Sequence, residues 1–246
     1  MNNSIRILAA VTAAVMCAAT LASCKNGDVP SGESYSYNSK SGDTTDSAIA
    51  DPEKEINVNT SWQSNFRITY DYYNATSDED TVKIVETRND NAFTAEYPDG
   101  GSTLYYVAHG NDTDYYVIVD SEGKAVHSLL KNSRFSDIST TFMKLSTVSS
   151  SLPSMSNVMY MYDENVAGRV CHKYVQRAYT GGEVTETVYI WIDSEYGFAA
   201  KCESYDSSDT LRVKWETESF ETGSVGGNDI SVDFSKYTVV EEEETE

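Results

Sequence analysis

From Asn65 onward apolar and polar residues alternate with a period of two: Phe66, Ile68, Tyr70 and Tyr72 share one side, and Arg67, Thr69 and Asp71 the other. Successive side chains of a strand point to opposite faces, so this is the pattern of a strand that is dry on one side. Further strand patterns occupy 81–88, 92–97, 103–109 and 114–120, separated by turn sequences such as Pro98-Asp99-Gly100-Gly101 and Gly110-Asn111-Asp112. Together they predict an antiparallel meander. The spacing then changes. Phe135, Ile138, Phe142 and Leu145 stand three, four and three apart, a helical stripe that Ser133 or Ser136 is placed to cap. The stretch 137–150 is rich in Ser and Thr, so packing rather than propensity has to hold this helix. After Leu152-Pro153 strand patterns return at 158–163, 169–179, 184–193, 198–205 and 210–220, with a short one at 230–234. Their turns carry Gly181-Gly182, Gly197 and Gly226-Gly227-Asn228. The expected fold class is α+β, mainly antiparallel β: a strongly curved, open sheet of roughly ten strands with one helix packed on the concave face.

The start of the chain follows different rules. Arg6 precedes an apolar run from Ile7 to Leu21, about 15 residues against the ~20 a spanning helix needs, and polar sequence follows at once. Residues 1–23 therefore read as a signal peptide. Its end, Leu21-Ala22-Ser23-Cys24, resembles the lipobox of bacterial lipoproteins, which implies a diacylated Cys24 as the mature N-terminus. Each buried acyl CH₂ contributes ~0.8 kcal/mol and stable anchoring takes two chains, which a diacylglycerol supplies. From Lys25 to about Pro52 the chain is Ser, Gly, Asp, Asn and Thr with almost no apolar residues, too few to offset ordering entropy. Residues 24–55 thus form a lipidated, disordered tether with a reach of ~30 Å. A folded domain at 56–240 and a solvated acidic tail at 241–246 complete the chain.

Charge narrows the partners. The formal net charge of -21 repels polyanions, which excludes nucleic acid as a partner and keeps the domain off anionic headgroups. The membrane is then contacted only through the Cys24 anchor, and the expected location is the cell membrane, facing outside the cytoplasm. Tyrosine, at 18 against 7 phenylalanines, suits strands with one dry face, since the ring is apolar and its tip polar.

Val188-Tyr189-Ile190-Trp191-Ile192-Asp193, then Gly197-Phe198 and Lys201, a polar turn, a long strand to Phe220 and a final Ile230-x-Val232-x-Phe234 before Tyr237 resemble the C-terminal half of the LolA/LppX-like lipoprotein carriers. That resemblance implies an unclosed β-barrel whose concave side, filled or lidded by helices, holds acyl chains or other apolar lipid. The long N-terminal helix of those carriers is absent here or reduced to a few turns near Glu53 to Gln63. The carrier of that family is soluble, whereas this chain is expected to be anchored at Cys24, so the resemblance does not imply a shuttle between membranes.

Catalysis needs a nucleophile, a base and an orienting group, and the chain holds only His109, His127 and His172, none in an HExxH spacing. No GxSxG elbow, P-loop or calcium loop occurs. The expectation is a protein that is not an enzyme, with no cofactor or metal. Cys171 and Cys202 fall on strands two apart, Cys171 opposite residue 191 or 192 and Cys202 opposite 188 or 189. At ~10 Å they are beyond bridging reach, so buried thiols are expected. The candidate ligand residues are Phe66, Tyr70, Tyr106, Tyr116, Phe142, Tyr160, Tyr174 and Trp191, lining a hollow beneath the helix; simple core packing is the other reading of such aromatics. Strands such as 104–107, 115–119 and 188–192 are apolar on both faces and call for cover on both. Two functions follow: binding or sensing a lipid or other apolar ligand in the curved sheet, or a non-enzymatic envelope module that binds a protein or glycan with no cavity.

Overall fold

The computed structural model describes residues 61–76, 81–146 and 158–242. The signal peptide, Cys24, the tether and residues 243–246 lie outside the described residues. So does the stretch near Glu53 to Gln63 except for a 3₁₀ turn at Ser61–Ser64.

Twelve strands form one sheet in the order β12-β6-β5-β4-β3-β2-β1-β11-β10-β9-β8-β7. They are β1 (Phe66–Asn74), β2 (Val82–Arg88), β3 (Ala92–Tyr97), β4 (Ser102–His109), β5 (Asp112–Val119), β6 (Lys124–Leu130), β7 (Val158–Val166), β8 (Arg169–Thr180), β9 (Glu183–Asp193), β10 (Ala199–Asp206), β11 (Leu211–Thr222) and β12 (Thr238–Glu241). All neighbours pair antiparallel except β12, which adds parallel to β6. The register is broken by bulges whose extra residues lie on β7, β9, β10 and β11, each of which bends its strand. The sheet curves enough for its edge strand β7 to come back against β11. It still ends on two different strands, β7 and β12, and is therefore an open barrel, the architecture the sequence led us to expect. The β8–β9 hairpin turns on Gly181 and Gly182 at φ 62° and 86°, the positive pair that a type I′ turn requires.

Three elements differ from expectation. Strand β6 was not visible in the pattern: Lys-Ala-Val-His-Ser-Leu-Leu has no clean alternation, yet Ala125 is fully buried beneath the neighbouring layer. The segment 230–234 is not a strand but lies between 3₁₀ turns at Gly227–Ile230 and Phe234–Lys236, and the final strand comes later, at β12. The stripe from Phe135 to Leu145 is not one helix. A 3₁₀ turn covers Phe135–Asp137, Ile138 is extended, and the α-helix α1 spans only Thr141–Ser146. Its cap is Thr140, whose Oγ1 accepts the Met143 N–H at 3.1 Å, rather than either serine.

The concave face carries the main core. Phe66, Ile68, Tyr70 and Tyr72 of β1 are buried with Ile84, Ala95, Ile190, Cys202 and Trp215, and α1 adds Phe142 and Leu145. The convex face is covered in two ways. Over β3–β5, the segment after β11 folds back so that Val225 and Ile230 pack with Ala92, Tyr105 and Val107, and Phe234 rests 4.6 Å from the Tyr116 ring. Over β8–β10, Trp191 lies between Lys173 and Lys201, each ammonium 4.7 Å from its ring. Their aliphatic stems shield the indole while the charges stay at the surface. Cys171 on β8 opposes Asp193 and Cys202 on β10 opposes Ile190, each one residue from its expected partner, with β9 between the two thiols.

Candidate functional site

Strand β2 supplies what fastens the lid segment to the sheet. The pairing of Ile84 with Tyr70, Glu86 with Ile68 and Arg88 with Phe66 turns all three β2 side chains inward. Two of them are ionisable groups in an apolar layer. The Glu86 carboxylate is fully buried, and it accepts the Phe142 N–H at 3.1 and 3.2 Å and the Tyr70 hydroxyl at 2.9 Å. It thereby satisfies a backbone donor that the first turn of α1 would leave orphaned. Burial pushes its pKa above the usual carboxylate value, and the hydrogen bonds from Thr140, Phe142 and Tyr70 only partly oppose this. Arg88 donates from Nη1 to the Ile138 carbonyl at 2.6 Å and from Nη2 to the Phe135 carbonyl at 3.3 Å, with its guanidinium 4.6 Å from the Phe135 ring. Its pKa is lowered by burial, against the pull of Glu86 and Asp90.

So fastened, α1 seats Phe142 among four rings, with centroids 5.6 Å from Trp62, 6.1 Å from Phe66, 5.7 Å from Tyr70 and 5.4 Å from Phe198. That part of the cup is interlocked side chains. The flank over β4 and β5 is different. Phe93 stacks on Tyr106 at 4.4 Å and Tyr106 on Tyr115 at 4.5 Å, and Tyr106, Tyr115 and Val117 are only half-buried. Next to them the Tyr97 and Ser102 hydroxyls, on paired residues, are buried without a hydrogen-bond partner. Desolvation raises the pKa of Tyr97, Tyr106 and Tyr115, so all three are neutral donors at physiological pH.

Of the eight candidate ligand residues, the structure gathers six on the concave side. Phe66, Tyr70, Phe142 and Tyr174 are buried in the core, while Tyr106 and Tyr160 pack at its margin. The other two stand on the convex face. Tyr116 pairs with Tyr105 and His127 there, and Trp191 pairs with Lys173 and Lys201. Sequence reasoning passed over Glu86, Arg88, Tyr97 and Tyr115. Charged residues in phase with Ile84 on an alternating strand were the available signal for the first two.

A second concavity lies on the opposite side, a cleft of about 250 Å³ between β3–β5 and the returning segment, lined by Thr94, Glu96, Asp229, Asp233, Lys236 and Tyr237 among others. Among the described residues, no group of three or more His, Cys, Asp or Glu side chains is placed to hold a metal ion, and no helix is long and apolar enough to cross a membrane.

No family model and no curated protein matches the chain. Solved structures do, several of them at low identity. The Pseudomonas aeruginosa MucA/MucB complex is 14% identical with a TM-score of 0.39, covering 73% of this chain and 59% of that one. The putative outer membrane lipoprotein-sorting protein domain from Vibrio parahaemolyticus is 12% identical at a TM-score of 0.31, covering 72% and 93%. The LolA superfamily protein NE2245 from Nitrosomonas europaea is 11% identical at 0.27, covering 70% and 92%. A LolA superfamily protein stands among these structures, and the chain spans about three fifths of the MucB chain's length.

Proposed function

We propose that this protein is a non-catalytic binding module, tethered outside the cytoplasmic membrane by a lipidated Cys24 and a tether over 24–55, that binds or senses a lipid or other apolar molecule on its concave face. The observation that carries this reading is the unequal filling of the cup. Phe142 closes the β1 side completely, whereas Tyr106, Tyr115 and Val117 remain partly exposed on the β4–β5 side. An apolar ligand laid against that stacked aromatic row would remove apolar surface from water at about 25 cal/mol per Å². The ligand site is therefore the flank of the cup rather than its centre, and of the eight candidates Tyr106 belongs to it most directly.

Lipid extracted from the membrane-purified protein and identified by mass spectrometry is the first test, and titration with an apolar fluorescent probe is the second. Val117→Asp places an unpaired charge on the face and should weaken the probe by about tenfold or more. Unchanged affinity would remove the flank from consideration.

The reading as a module for an envelope protein or glycan is favoured by the other concavity. The convex cleft offers carboxylates at Glu96, Asp229 and Asp233, an ammonium at Lys236 and the Thr94 hydroxyl, a lining suited to a hydroxyl-rich ligand. Glu96→Ala affecting glycan binding, with Val117→Asp silent toward the apolar probe, would favour that reading.

A further inference from the structure

Two of the three histidines meet at one carboxylate on the convex face. Asp114 of β5 lies 3.0 Å from His109 Nδ1 through one oxygen and 2.9 Å from His127 Nε2 through the other, and His127 Nδ1 lies 2.7 Å from Glu241 of β12. The chain of contacts crosses four strands. A neutral imidazole carries one N–H and turns a lone pair outward from its other nitrogen. His127 faces a carboxylate through both, so it donates to both only as the imidazolium. Its ring is stacked on Tyr116 at 4.6 Å and its side chain is 17% exposed, which leaves little room for water to replace a lost partner.

The strand that Glu241 ends is the weakest in the sheet. β12 has four residues, all exposed, and it is the one parallel addition among the described strands. Its front end is held by the Thr238 N–H on the Gly123 carbonyl at 2.8 Å and by the Tyr237 hydroxyl on Asp120 at 2.6 Å. Its far end is held by the Glu242 N–H on the His127 carbonyl at 2.8 Å, the Ser128 hydroxyl on the Glu242 carboxylate, and the His127–Glu241 pair. The first two residues of the expected free acidic tail are therefore fastened to β6.

We propose that His127 and Glu241 form a proton-operated clasp: the imidazolium holds β12 along its whole length, and the neutral ring lets β12 fray from its Glu242 end and uncovers the edge of β6. The groups facing His127 are Asp114 from β5, Glu241 from β12 and, through Asp114, the exposed His109 of β4; Glu242 is the next charge along β12. Partial desolvation of His127 lowers its pKa, but the hydrogen bonds to Asp114 and Glu241 outweigh this and raise it above the ordinary imidazole value. A raised folded pKa means the clasp is complete below the ordinary imidazole value and is lost as pH rises through the folded one.

Hydrogen exchange read at single amides of the full chain tests this. Between about pH 5.5 and about pH 8.5, and after correction for intrinsic exchange, the protection factor of the Glu242 amide should fall about fivefold. The Thr238 amide should change much less and the Ile190 amide, in buried β9, not at all. His127→Gln and Glu241→Gln should hold Glu242 at its high-pH level throughout, while His109→Gln, which touches β12 only through Asp114, should leave the transition in place. A pH-independent Glu242 amide, an unchanged transition in His127→Gln, or an equal loss at Ile190 would each overturn the clasp.

Discussion

The buried carboxylate of Glu86 on β2 receives the backbone N–H of Phe142, the residue that fills the cup, so one ionisable side chain in the sheet sets where the lid segment begins its helix. Removing the acceptor would orphan both that N–H and the Tyr70 hydroxyl inside the core. Glu86→Ala should therefore cost about 1–3 kcal/mol in denaturant unfolding.

Glu86→Gln separates the hydrogen bonds from the charge. An amide oxygen still accepts from Phe142 and Tyr70, but no charged form has to be buried. Because burial raises the folded pKa of Glu86, its ionisation favours the unfolded chain. The wild-type contribution is complete below the ordinary carboxylate value and falls as pH rises from there through the folded one. The variant should lose that downward slope above about pH 4.5 and equal or exceed the wild type in stability near pH 7. A steeper loss of stability with rising pH in Glu86→Gln than in the wild type would show that the charge is favourable where it sits.

The convex face gives a separate prediction. Lys201 lies over Trp191 and pairs with Glu203 at 3.2 Å and Glu216 at 3.3 Å. Lys201→Met keeps an aliphatic cover and loses the cation, so the cost should be about 0.5–1 kcal/mol. Lys201→Ala also bares the indole, and it should be worse than the Met variant and shift tryptophan emission to the red. Equal destabilisation by the two would assign the whole effect to charge.

These positions also mark what could be read from the sequence. The alternation of Phe66, Ile68, Tyr70 and Tyr72 fixed the inner face of β1, and Gly181-Gly182 fixed the β8–β9 turn, because each signal is local. Whether Trp191 and Tyr116 share that inner face depends on pairing register across several strands. Period two says only that they alternate within their own strands. Charge usually sends a strand residue outward, and at Glu86 and Arg88 only the lid's orphaned backbone groups reverse that rule. The addition of β12 to β6 and the fold-back of Val225, Ile230 and Phe234 join residues more than a hundred apart in the chain, which no local pattern carries.

Membrane attachment is tested apart from the fold. Cys24→Ala removes the thiol that would be acylated, and the protein should leave the detergent-dependent fraction and appear in the soluble extracytoplasmic fraction with its circular dichroism unchanged. Retention in the membrane fraction would mean that the apolar run of Ile7 to Leu21 stays in place as the anchor.

The two remaining thiols should be inert while the domain is folded. Cys171 is fully buried, and desolvation, followed by the nearby Asp193 charge, pushes its pKa up to about 12, so almost none is thiolate at neutral pH. Cys202 is equally enclosed on β10, and the intervening β9, with Cys171 opposite Asp193 and Cys202 opposite Ile190, keeps the two at least ~10 Å apart, beyond the ~7 Å that a disulfide spans. Iodoacetamide followed by mass spectrometry should therefore leave both unmodified in the native protein and label both after denaturation. A mild oxidant should yield no Cys171–Cys202 bridge. Native labelling of Cys171 at the rate of a free thiol would require β8 and β9 to separate, since that side chain is fully buried where it pairs with Asp193.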